Sequence, residues 1–164
     1  MITIIIVMLI AITFAGCDRK VYYNIPKEDV FAFKEGDVLI YKSNLAKIDS
    51  FKVKHVERMY DVFDKVDYIE NQNVALVKDT ITNRYSTNHN NTHLIWFDLF
   101  YVVEPNVISK SNYNLGGKTI ERVFKITKLY LPESTDFSAI YYTCKYGIIR
   151  YDKKDGEYYE LQLK

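Results

Sequence analysis

Residues 139–163 read AIYYTCKYGIIRYDKKDGEYYELQL. Three runs of β-branched and aromatic residues, Ala139 to Tyr142, Ile148 to Tyr151 and Tyr158 to Leu163, are parted by a turn near Lys145 and by Lys153-Lys154-Asp155-Gly156. Asp-Gly between alternating strands is the strongest short hairpin signal a sequence carries, because Gly supplies the positive φ that the tight turn needs. The segment therefore predicts three antiparallel strands in succession.

Working outward, the same period recurs. Lys118 to Leu129 places Ile120, Arg122, Phe124 and Ile126 on one parity, against Thr119, Glu121, Val123 and Lys125. Asp49 to Val56 sets Phe51, Val53 and His55 against Lys52 and Lys54, a half-buried strand with Lys outward. Gly36-Asp37 introduces Val38 to Lys42, and Asn73 to Lys78 and Ile81 to Ser86 flank Asp79-Thr80. Met59 to Glu70 reads as strand, although a short helix fits Met59, Phe63 and Val66 about as well. NHNNTH (88–93) is a loop. In His93 to Val103 both parities are apolar, which requires cover on both faces or a buried helix. Residues 18–34 have no clean period, and Pro26 keeps the chain extended around Ile25, so they read as a tether. The expected fold is mainly β: a single antiparallel sheet domain over 35–164, strongly curved, as a half-barrel or sandwich.

The first sixteen residues, MITIIIVMLIAITFAG, lack any charged side chain, so all 22 Lys+Arg and 21 Asp+Glu fall later. The composition, 48% hydrophobic and 26% charged with six Gly and three Pro, excludes disorder, collagen and a disulfide scaffold. A net charge of +1 excludes the basic footprint of a dedicated nucleic-acid binder. The apolar run Ile2 to Ile12, broken by Thr3, is shorter than the roughly 20 residues needed to cross a bilayer. It suits a helical signal peptide with small residues at the cut. Phe14-Ala15-Gly16-Cys17 resembles a bacterial lipobox, with Phe14 where the pattern prefers Leu and no Lys or Arg near the start. That resemblance implies a signal peptide over 1–16, cleavage before Cys17, and fatty-acyl chains (palmitate) on Cys17, with 17–34 as the lipidated N-terminus and tether. The alternatives are an uncleaved anchor, or a core segment with an incidental Cys.

Acylation of Cys17 leaves Cys144 without a partner in the chain, and its strand-forming neighbours favour burial as a small apolar residue. A Cys17–Cys144 disulfide requires that acylation fail.

The segment Gly116 to Lys164 is similar to the C-terminal region of small uncharacterised lipoproteins of Bacteroidetes-type bacteria, which end in a Tyr-Tyr strand, a Lys-containing turn, Gly-Ile and a hairpin closed by Asp-Gly. The match extends to the lipobox and implies an extracytoplasmic, membrane-anchored envelope protein, with the membrane and leaflet left open. A more distant resemblance, to envelope lipoproteins built as a curved half-barrel with a greasy concave face, implies binding of an apolar ligand. Asp79-Thr80-Ile81 resembles the acceptor for O-glycosylation of exported proteins in such bacteria, which would place a sugar on Thr80.

Chemistry-bearing motifs are few. Gly116-Gly117-Lys118-Thr119 has Asn112 where a phosphate loop needs Gly, and an alternating strand follows where it needs a helix. His89 and His93 stand four apart, but NHNNT is a poor helix and no shell completes around them, so no metal is expected. No catalytic residues and no cofactor are assigned. Fifteen Tyr are explained mainly by strand propensity, with a candidate binding face at Tyr141, Tyr142, Tyr146, Tyr151, Tyr158 and Tyr159. Three functions follow, in order: a non-enzymatic binding or assembly role, with an envelope protein or glycan as partner; a carrier or sensor of an apolar, lipid-like ligand in a pocket lined by Phe97, Leu99 and Phe124; and an envelope hydrolase.

Overall fold

A computed structural model describes residues 19–78, 81–88, 93–96, 100–103, 110–127, 131 and 135–163. The leader, Cys17, Thr80, His89, Phe97 and Leu99 lie outside the described residues. The strands are β1 (Val21–Tyr23), β2 (Val38–Ser43), β3 (Ile48–Val62), β4 (Asp67–Lys78), β5 (Ile81–Asn88), β6 (His93–Trp96), β7 (Phe100–Val103), β8 (Lys110–Leu115), β9 (Lys118–Thr127), β10 (Phe137–Thr143), β11 (Gly147–Lys153) and β12 (Tyr158–Leu161). Among the described residues the only helical turn is a 3-10 turn at Lys27–Asp29.

The twelve strands among the described residues join one sheet, in the order β7-β6-β5-β4-β3-β2-β12-β11-β10-β9-β8, with β1 beside β4. The protein is mainly β, as the period-two patterns predict. One pairing departs from the expected antiparallel sheet. Val21–Tyr23 lie parallel to Asp67–Ile69, in the part of β4 that precedes its pairing with β5 at Asn71. The sheet is therefore mixed. The open helix-or-strand choice at 59–70 resolves as strand: β3 runs to Val62, and β4 begins at Asp67 after a turn closed by Phe63 N–H to Asp67 O at 2.8 Å. His93 to Val103 is neither one long strand nor a helix, but two four-residue strands paired antiparallel.

Curvature follows from one contact. Tyr85 on β5 and Gly147 on β11 are five strand steps apart, which in a flat sheet would be about 24 Å. A side chain at Gly147, whose φ is +62, would run into the Tyr85 ring. The sheet bends back on itself, and both halves share one core: Phe51, Val53, Leu76 and Tyr85 from one, and Phe124, Ile140, Tyr142 and Ile148 from the other. Tyr41 ties them further, its hydroxyl donating to Ile148 O at 2.8 Å.

Bulges move several side chains off the faces that plain alternation predicts. Between Val53 and His55 the β3–β4 register slips, so Val56 takes the inward place and His55 turns outward, exposed and 3.7 Å from Glu35. The expected partial burial of His55 is corrected by that one extra residue. In β9, two residues face one of β8 between the pairs Ser111↔Val123 and Tyr113↔Ile120. Arg122 sits in that bulge at φ +56, and Val123 and Phe124 are then both buried. A third slip, between Tyr141↔Arg150 and Tyr142↔Ile148, buries Ile148 and Ile149 together.

The largest correction concerns the expected tether. From Ile25 to Phe33 the chain is a strap against the sheet. Asp29, Phe31 and Phe33 are buried, alternating with Val30, Ala32 and Lys34, which are more exposed. Two buried polar side chains of β4 hold its backbone. Glu70 accepts from the Ile25 N–H and Gln72 from the Phe31 N–H, each at 2.9 Å. On the other side, the Ala32 N–H donates to Lys145 O at 2.9 Å in the β10–β11 turn. Phe31 and Phe33 stack on each other and tilt against Tyr85, with ring centroids 5.8–6.3 Å apart. The strap thus bridges the two halves of the bent sheet and fills the space between them.

Candidate functional site

Consecutive strand residues point to opposite faces, and this divides the six tyrosines. Tyr142, Tyr151 and Tyr159 face inward and are buried. Tyr151 stacks on Tyr159 with centroids 5.0 Å apart and donates its hydroxyl to Asp49 Oδ2 at 2.8 Å. Tyr146 is half-buried in the β10–β11 turn, with Lys145 over its ring. Only Tyr141 and Tyr158 remain on the outer face, so the expected six-residue face reduces to these two.

They are joined there by residues that sequence reasoning did not select. Register lines up Lys125, Tyr141, Arg150, Glu160, Lys42 and Ile48 in one row across six strands, from β9 to β3. The Arg150 guanidinium lies 3.9 Å from the Tyr158 ring centroid and 5.3 Å from that of Tyr141, while Lys125 covers Tyr141 at 5.2 Å. Each such contact contributes roughly 0.5–1 kcal/mol at an exposed site. Arg150 Nε donates to Asp152 Oδ1 at 2.6 Å, and its Nη1 to the Tyr113 hydroxyl at 3.1 Å. Tyr113 donates in turn to Glu160. Burial, then the neighbouring Glu160 carboxylate, pushes the Tyr113 phenol up to about 12, so it stays a neutral donor at physiological pH. Val38 and Ile40 continue the outer face on β2, and both are exposed, as is Ile48 on β3. The result is a rigid strip of Tyr and Arg beside exposed aliphatic side chains, the composition that marks protein interface cores. The signal was present in the alternation of Tyr141, Arg150 and Tyr158 with inward residues, but the bulge between β10 and β11 hides which cation meets which ring.

Two clefts are lined by residues outside this strip. One of about 320 Å³ is lined by Asp29 of the strap, Arg122, Thr143, Cys144 and Tyr146. Asp29, 1% exposed, has its Oδ1 3.0 Å from Arg122 Nη1. Cys144 is buried beside them, as its neighbours predicted, and burial together with the Asp29 carboxylate pushes its thiol up to about 12. A nucleophilic cysteine needs the opposite shift, so this acid–Arg–thiol group holds the strap in place and does not activate sulfur. The second cleft, about 570 Å³, lies over β3–β5 among Lys54, His55, Glu57, Asn73, Arg84 and Ser86. Val74, Ala75 and Tyr85 complete its lining, so it offers both polar and apolar groups. Phe124, expected in an apolar pocket, is wholly buried in the core. Among the described residues no group of three or more His, Cys, Asp or Glu is placed to hold a metal ion.

Compared with family models, curated proteins and solved structures, the chain matches none.

Proposed function

We propose that this chain is a bacterial cell-envelope lipoprotein, held at the membrane through acyl chains on Cys17, with a non-enzymatic binding or assembly role. In this reading its Tyr141–Arg150–Tyr158 strip docks another envelope protein. The observation that carries the docking role is the contrast between the two faces. The inner one is filled by the protein's own strap, with Phe31 and Phe33 against Tyr85, and the outer one presents pre-ordered Tyr and Arg side chains beside exposed Val38, Ile40 and Ile48. Rigid aromatic and guanidinium groups lose little conformational entropy on binding, which favours them as interface anchors. The same filled interior weighs against a carrier of apolar ligands. The anchor rests on the short uncharged leader and the Phe14-Ala15-Gly16-Cys17 motif. O-glycosylation at Thr80 and kinship with Bacteroidetes-type lipoproteins belong to the same proposal, and intact-mass spectra of native protein and of Thr80→Ala test the sugar.

Metabolic labelling with a fatty acid, followed by mild cross-linking and affinity purification from envelopes, tests the reading as a whole. It predicts label on the native protein, none on Cys17→Ser, and a discrete partner lost on Arg150→Ala. An unlabelled native protein that retains Met1 to Gly16 would refute the anchor, and a partner set indifferent to Arg150 would refute the docking strip.

A further inference from the structure

The cleft of about 570 Å³ over β3–β5 is a trough across the outward face of three strands. Register sets two rows of side chains through it: His55, Ala75 and Arg84, then Glu57, Asn73 and Ser86. Neighbouring strands lie about 4.8 Å apart, so the β3 and β5 walls stand roughly 9.6 Å from each other. Between the long side chains of His55 and Arg84, β4 supplies only the methyl group of Ala75. That one small residue opens the trough, and a long side chain at the same place would fill it.

The β3 wall owes its charge to a bulge. The register slip between Val53 and His55 leaves Lys54 and His55, consecutive in sequence, both exposed and both lining the trough. Plain alternation would send one of them inward. Bulges re-aim side chains in this way and are over-represented next to active sites. His55 Nδ1 lies 3.7 Å from Glu35, whereas Lys54, Glu57 and Arg84 make no side-chain hydrogen bond or ion pair with another described residue. The Tyr141–Arg150–Tyr158 strip differs: there Arg150 is bonded to Asp152 and Tyr113, and Tyr113 to Glu160. The trough therefore holds charged groups of both signs on facing walls, with their hydrogen-bonding capacity turned to whatever enters.

We infer that this trough binds a saccharide that carries a carboxylate, of the hexuronic acid class. Sugar hydroxyls donate and accept at once, and the lining answers both ways. Glu57 accepts, Lys54 donates, and the Asn73 amide and Ser86 hydroxyl do either. The Arg84 guanidinium is a planar fork that matches a carboxylate through two parallel hydrogen bonds. Lys54 and Arg84 outnumber Glu57 in the lining, which favours an anionic ligand over a neutral one. The Ala75 methyl offers a small apolar floor to the C–H face of a sugar ring. The volume falls in the usual range of small-molecule sites. This site is distinct from the docking strip and stands whether or not the strip engages a protein.

Isothermal titration calorimetry of the full-length protein in detergent tests the inference. Oligogalacturonate is the ligand, maltooligosaccharide the neutral sugar, and polyglutamate the carboxylate without a sugar. Binding of oligogalacturonate alone is expected. Arg84→Ala should weaken it at least about tenfold, because hydrogen bonds to a charged group are removed. Arg84→Lys, with the charge but not the fork, should restore only part of the loss. Ala75→Tyr sets a strand-favouring ring on the outward face, so the urea midpoint should hold while binding disappears. Polyglutamate bound as tightly as oligogalacturonate would reduce the trough to a charged patch and overturn the inference. Equal binding of maltooligosaccharide would overturn the part played by the carboxylate. Binding of none of the three, or oligogalacturonate binding indifferent to both Arg84→Ala and Ala75→Tyr, would overturn the site itself.

Discussion

Replacing Phe31 by Ala separates a strap from a tether. Phe31 is buried to 3% exposure, its ring 6.0 Å from Phe33 and 5.8 Å from Tyr85, and its N–H is held by Gln72. Truncating a buried Phe removes its transfer free energy and leaves a cavity, together costing about 3–5 kcal/mol. Gln72 remains bonded to the backbone, so the loss comes from the ring. A side chain in a mobile tether would instead change stability by less than about 0.5 kcal/mol. Urea denaturation of the purified protein reads the difference. With a slope of roughly 2 kcal/mol per molar, the midpoint should fall by on the order of 2 M at unchanged slope. Glu28→Ala, an exposed neighbour in the same segment, should leave the midpoint where it was. A Phe31→Ala midpoint within error of the wild type would refute the strap, and with it the filled inner face.

Gly147→Ala should destabilise by roughly 2–4 kcal/mol, from a left-handed φ and a methyl group forced into the Tyr85 ring, as measured by the same denaturation. Gly156→Ala, at φ +89 with open space around it, should show the backbone cost alone. Stability should decline at alkaline pH: burial raises the folded-state pKa of Cys144 from 9.0 to about 12 and that of Tyr113 from 10.0 to about 12. Groups raised in this way contribute fully below their unfolded values and lose that contribution as pH climbs through about 9 to 12, so the urea midpoint should fall over that interval and hold steady between pH 7 and 8. Arg150→Lys should keep the charge but lose the flat contacts with Tyr141 and Tyr158. A cost of about 1 kcal/mol is expected, with partner capture in envelope pull-downs weakened.

The β character was legible because Lys118 to Leu129, Asp49 to Val56 and Tyr158 to Leu163 carry period two, and Asp155-Gly156 fixes a hairpin whose Gly156 N–H donates to Lys153 O at 3.2 Å. What escaped was set by long-range geometry. Asp29, Phe31 and Phe33 do alternate, but a charged residue heads the series, and its burial depends on Arg122, ninety-three positions away, in a bulge that no local pattern announces. Glu70 and Gln72 are polar strand residues whose burial no local pattern marks, and each accepts a backbone N–H of the strap. The candidate face was half legible. Strand parity alone separates Tyr141 from Tyr142 and Tyr158 from Tyr159, yet the register slip that brings Arg150 between Tyr141 and Tyr158 is a property of two strands together. The leader and Cys17 are read from sequence only.

The central claim, a lipoprotein that docks a partner through its outer strip, is tested most directly by photo-cross-linking in living cells. A photoreactive residue is placed in turn at Tyr158, at Lys125, and at exposed Leu45 in the β2–β3 turn, away from the ring contacts of the strip. The account predicts one discrete protein adduct from positions 158 and 125, in the membrane fraction, abolished by Arg150→Ala and absent from position 45. Equal adducts from all three positions, or none from any while an apolar small molecule co-purifies with the protein, would contradict it.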